Sequence, residues 1–182
     1  MPSGNGAGSN RFLALAGIQA GVVSALILLG YLALDSKWHG RSLWTVPNLL
    51  ASTFYGESAY RSGFGSRTSS GLALVFVVYG LLGGLFGLVM REHTARLRLV
   101  IFGVIYGTGW FFLSFNWLWK HVNPMVPMYS PDRAMLVGHV LYGGVLGSRF
   151  PRYLISMTAD EVPAVLEPPA LPEPERNLGP GC

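Results

Sequence analysis

Apolar residues fall in long unbroken blocks, not in alternation with polar ones. Phe12 to Leu34, Gly71 to Met90 and Leu99 to Trp119 contain no Asp, Glu, Lys or Arg. A fourth block, Pro131 to Ser148, carries charge only in its first turn, at Asp132 and Arg133. A helix rises about 1.5 Å per residue and a bilayer core is about 30 Å thick, so blocks of this length predict membrane spans. The fourth is close to the lower limit. Ser130, Pro131 and Asp132 would start it as N-cap, first-turn proline and first-turn acid.

The polar breaks between the blocks are loops, with one exception. Leu43 to Gly56 is apolar and uncharged but too short to span, and Pro47 interrupts it. Val46, Leu50 and Phe54 recur at helical spacing, which predicts a short interfacial or re-entrant helix over 43–56 with Pro47 near its start. The expected fold is all-α: a polytopic membrane protein with four transmembrane helices, about 12–34, 71–90, 99–119 and 131–148, plus that short helix. Residues 1–11 are Gly, Ser and Asn rich and expected to be disordered. Residues 154–182 form a proline-rich acidic tail, expected to be extended.

Composition agrees: 51% of the chain is hydrophobic and 12% charged, against roughly 25% charged in soluble domains. The net charge of +4 is uneven, because the tail holds Asp160, Glu161, Glu167, Glu173 and Glu175. The basic excess suits loops facing anionic lipid headgroups. No Lys/Arg run is interleaved with aromatics, so a nucleic-acid partner is not expected. Arg11, the Arg91–Arg98 loop, Arg149 and Arg152 hug one set of membrane ends, which places both termini in the cytoplasm. No small-residue cleavage site follows Leu34, so the first span is expected to stay uncleaved. The single cysteine, Cys182, cannot form an internal disulfide and is misplaced for a prenylation box.

Each span carries glycines four apart: Gly17/Gly21, Gly80/Gly84, Gly83/Gly87, Gly103/Gly107 and Gly143/Gly147. Such pairs let helix backbones approach closely. Those at 80–87 make two faces, one of which would be free for a partner subunit. Trp38, Trp44, Trp110, Trp117 and Trp119 are expected as interfacial anchors.

His139 is the only ionisable imidazole at membrane depth, with Asn116, Tyr106 and Tyr142 as the other polar candidates. Three roles compete for it: a structural hydrogen bond to Asn116, Tyr106 or a backbone carbonyl; a small-solute or proton pathway with Asn116; or ligation of a tetrapyrrole, with Gly138 and Gly143 leaving room for a flat ring. A quinone site is a variant of the last. No cofactor or metal is otherwise expected. The uncharged span interiors lack the carboxylate of an ion-coupled transporter, and no His-Glu-x-x-His or Gly-x-Ser-x-Gly motif occurs. An interior with one histidine does not suit an enzyme, and no internal repeat is evident, which weighs against an inverted-repeat transporter.

Ala20-Gly21-Val22-Val23-Ser24-Ala25 and Gly138-His139-Val140-Leu141-Tyr142-Gly143 are similar to segments of uncharacterised small bacterial inner-membrane proteins of the YagU type. The resemblance implies four spans and a bacterial inner (cytoplasmic) membrane, and no reaction. The chain departs from that pattern over Trp44-Thr45-Val46-Pro47-Asn48-Leu49-Leu50. The expected function is non-catalytic: an accessory or structural subunit packed against other subunits, or copies of itself, in a larger complex such as an energy-transducing one.

Overall fold

A computed structural model describes residues 5–90 and 95–159. In chain order they form α1 (Asn5–Trp38), α2 (Thr45–Tyr55), α3 (Glu57–Tyr60), α4 (Ser66–Val89), α5 (Arg96–Leu113), a π-helical turn (Ser114–Leu118), α6 (Trp119–Val122), α7 (Met125–Tyr129) and α8 (Asp132–Ala159). Among the described residues there is no strand. Helix begins at Asn5, inside the segment expected to be disordered, and α8 runs through Pro151 into the expected tail. Residues 1–4 and 160–182 lie outside the described residues.

Three helical runs are long and apolar enough to cross a membrane: Asn10–Trp38, Ser66–Val89 and Arg96–Val122. Their outward faces hold Leu15, Leu26, Leu34, Val77, Leu81, Leu85, Ile101 and Ile105, all exposed. A soluble monomer seldom shows an apolar patch beyond about 300–600 Å², whereas lipid solvates such a girdle. The fourth long helix, α8, does not meet the same measure. Its uncharged run lies between Arg133 and Arg149, shorter than the roughly 17–25 residues a span needs.

Glycines set the helix pairing. A Cβ on Gly17 would fall on the carbonyl of Gly83, and one on Gly83 on the carbonyl of Gly17. Gly21 meets the Tyr79 carbonyl and Gly87 the Leu13 carbonyl, so α1 and α4 lie antiparallel with backbones in contact. The pair α5 and α8 repeats this register. Gly103 and Gly143 each meet the other's carbonyl, Gly107 meets that of His139, and Gly147 that of Leu99.

Leu13, Gly17 and Gly21 therefore correspond to Leu99, Gly103 and Gly107, and Tyr79, Gly83 and Gly87 to His139, Gly143 and Gly147. The molecule is two hairpins of one design, although no repeat stands out in the sequence. Its trace there is Leu-x-Gly-Gly-x-x-Gly, which occurs at Leu81–Gly87 and again at Leu141–Gly147. Both hairpins run in the same sense. Helix α1 also packs along α8, where Leu28 fills the space beside Gly138.

Gly80 and Gly84 do not form a free face. Ile18 and Val22 of α1 cover them, so the expected spare glycine surface is already used inside the chain. The described glycines of the long helices with open space around them are Gly30 and Gly109.

Short helices cap one end of the bundle. Helix α2 starts at Thr45, so Pro47 sits in its first turn, where a missing N–H costs nothing. It ends at Gly56, whose φ of 66° is the left-handed geometry that glycine supplies. Its buried face is Val46, Asn48, Leu49 and Ser52. Phe54, expected on the buried stripe, is exposed instead. Polar side chains tie the cap down. Thr68 Oγ1 donates to Asn48 Oδ1 at 2.6 Å, and Asn48 Nδ2 donates to the Ser62 carbonyl at 2.6 Å. From the loop before α7, Asn123 Nδ2 donates to Ser52 Oγ at 2.8 Å. Gly71 then brings α4 against the Pro47 carbonyl.

Candidate functional site

The polar centre of the bundle forms where the two hairpins meet. Tyr79 and His139 occupy corresponding positions of the repeat, and they touch: Tyr79 Oη lies 2.8 Å from His139 Nε2. The other ring nitrogen, Nδ1, lies 2.7 Å from the Met135 carbonyl one turn back on α8. A carbonyl can only accept, so Nδ1 carries the hydrogen of a neutral imidazole. Nε2 is then the acceptor and Tyr79 the donor. The chain of donation runs from Tyr79 through His139 to the Met135 carbonyl.

Two further hydroxyls cross between helices. Tyr142 Oη donates to the Tyr79 carbonyl at 2.8 Å, and Tyr106 Oη donates to the Leu82 carbonyl at 2.9 Å. Aromatic rings close the site. Phe111 and Phe115 present edges to His139 at centroid distances of 5.4 and 6.3 Å, and His139 is 2% exposed. Hydrocarbon offers no substitute for a missing hydrogen-bond partner, and each unsatisfied polar group there costs several kcal/mol. The pairing of all three tyrosine hydroxyls is what that penalty demands.

Of the residues singled out from the sequence, His139 and Tyr142 belong to this cluster and Tyr106 to its flank. Asn116 does not. It lies in the π-helical turn, is exposed, and donates to the Phe112 carbonyl of its own helix at 3.0 Å. An i→i+5 turn holds an extra residue, so a face counted at helical spacing rotates away from the core. Trp38 and Trp117 are exposed, while Trp110 and Trp119 turn inward and Trp44 packs tilted against Phe64 with ring centroids 4.6 Å apart. Ser130 makes no cap; its hydroxyl is buried without a partner. Sequence reasoning missed Tyr79. The available signal was a polar ring four residues ahead of a Gly-Gly pair in both hairpins.

An apolar crevice of about 40 Å³ adjoins the cluster, walled by Leu32, Leu49, Val75, Trp119, Ser130 and His139. The volume exceeds the roughly 10–15 Å³ that one water needs. The surroundings of His139 do not fit a tetrapyrrole. Both imidazole nitrogens are engaged, Leu28 fills the space beside Gly138, and Gly143 lies against Gly103. Among the described residues no group of three His, Cys, Asp or Glu side chains could hold a metal ion.

Fold and site together define a helical membrane protein whose interior is locked by close-packed glycines and a few hydrogen-bonded rings. No protein-family model, no curated protein and no solved structure matches the chain.

Proposed function

We propose that the chain is a non-catalytic, four-span protein of a bacterial inner membrane, serving as an accessory or structural subunit of a larger membrane assembly. Helix α8 is the fourth span in this reading, since it lies along both α1 and α5. The observation that carries the non-catalytic role is the state of the interior: His139, Tyr79, Tyr142 and Tyr106 are committed to each other or to backbone carbonyls. Groups so engaged hold helices together and are not presented to a substrate. The α5 span offers the surface for a neighbour. Only 28% of its apolar window is buried within the chain, against 44% and 39% for the first two spans.

Gentle solubilisation from native membranes, followed by native-gel mass spectrometry, tests this reading. Migration with other subunits, and photo-crosslinking to them from Ile105 but not from Leu26, is the expected result. A homogeneous lone chain with no crosslinked protein would overturn it. Membership of the YagU-type group and cytoplasmic termini belong to the same proposal. Arg96, Arg98, Arg149 and Arg152, close to the membrane ends of the helices on that side, support the orientation.

A second reading, a small-solute or proton pathway, rests on the water-sized crevice beside His139. Proteoliposome flux that His139→Ala leaves unchanged would remove it.

A further inference from the structure

A second and larger cavity lies on the capped side of the bundle, between the π-helical turn and the start of α8. It is a groove of about 500 Å³, within the size range of small-molecule sites. Its floor is apolar, formed by Phe112 and Leu136 over the buried rings of Phe111 and Phe115. That floor runs into the lipid-facing surface at Phe112 and Leu113, each 53% exposed. Its rim is polar and carries Lys120, Arg133, Asp132 and Asn116. The ion pairs among the described residues involve Asp35 and Glu57, so neither Lys120 nor Arg133 has a carboxylate within bridging distance there.

We propose that this groove binds one anionic phospholipid with a hydroxyl-bearing headgroup, of the phosphatidylglycerol type. Lys120 and Arg133 supply two cations for a phosphodiester, which carries one negative charge. Asp132 would repel a second negative charge, so a doubly charged headgroup fits less well. Its carboxylate and the side-chain oxygen of Asn116 are acceptors without a hydrogen to give, and headgroup hydroxyls are the donors that satisfy them. One acyl chain lies along Phe112 and Leu136, continuous with the lipid-facing girdle. Trp117, 61% exposed on the same turn, sits where indoles mark the headgroup level.

The full-length chain is purified from vesicles of phosphatidylcholine containing one-tenth phosphatidylglycerol, and retained lipid is counted by native mass spectrometry. Wild type is expected to retain one phosphatidylglycerol in preference to the large excess of phosphatidylcholine. Lys120→Gln with Arg133→Gln should reduce that retention at least fivefold, while Arg149→Gln with Arg152→Gln at the opposite end should not. Equal losses in both pairs would mean diffuse charge attraction and overturn the proposal. So would retention of phosphatidylcholine in proportion to its abundance, or an inorganic phosphate adduct in place of lipid. A readout on wild type alone guards against a variant that fails to fold. Tryptophan fluorescence should be quenched at least twofold more by bromo-acyl phosphatidylglycerol than by bromo-acyl phosphatidylcholine at equal mole fraction, and equal quenching counts against the site.

Discussion

At the scale of single residues, the Tyr79–His139 contact is the pair to test first. Hydrogen bonds between membrane helices average about 0.6 kcal/mol, with a maximum near about 1.7 kcal/mol. A double-mutant cycle of Tyr79→Phe and His139→Leu, read by denaturant unfolding in micelles, should give a coupling energy in that range. A coupling indistinguishable from zero would mean the two rings are neighbours only. Asn48 is fully buried and makes its bonds to Ser62 and Thr68. Asn48→Ala leaves those partners short, at a cost of about 1–3 kcal/mol, and hydrogen exchange across residues 45–62 should accelerate. His139 was legible in the sequence because an imidazole at membrane depth has to be accounted for. Tyr79 was not, since a tyrosine among valines and leucines looks like any other core aromatic until its hydroxyl is placed. Asn116 misled for a local reason, the extra residue of the π-helical turn.

At the scale of elements, backbone contact between helices makes sharp distinctions among glycines of similar sequence context. Gly83→Leu or Gly143→Leu puts a side chain where a facing carbonyl stands, so the helix pair has to separate. Loss of most folded, monodisperse protein in detergent is expected for either. Gly30→Leu and Gly109→Leu point into open space and should shift unfolding by no more than about 0.5 kcal/mol. If all four variants behaved alike, the register described above would be wrong. The existence and rough limits of the long helices follow from their unbroken apolar runs. Which glycine meets which does not, because spacing defines a face but not what lies across it. The face expected to be free at Gly80 and Gly84 is covered by the branched side chains of Ile18 and Val22. The rotation of α2 was also beyond the apolar pattern, since Asn48 and Ser52 are buried by hydrogen bonding and not by hydrophobicity.

At the scale of the whole molecule, the number of bilayer crossings is open to direct measurement. With α8 as a fourth crossing, the loop at Ser62 and the helix end at Ser156 lie on opposite sides. In a Cys182→Ser background, Ser62→Cys should react with a membrane-impermeant maleimide in intact cells, and Ser156→Cys only after lysis. Labelling of both from outside would leave α8 lying against the bundle without crossing. The class of protein was legible from apolar blocks alone, because lipid imposes one length and one chemistry on every span. The repeat was not, since outside its glycines the two hairpins share few side chains.

The central contact bears on how the two hairpins recognise each other. A symmetric dimer of one hairpin brings each axial residue against an identical copy of itself, tyrosine to tyrosine or histidine to histidine. One chain that carries both hairpins escapes that constraint, because the two halves need not be alike. Tyr79 as a dedicated donor and His139 as a dedicated acceptor give the two hairpins unlike faces, so each fits the other and not a copy of itself.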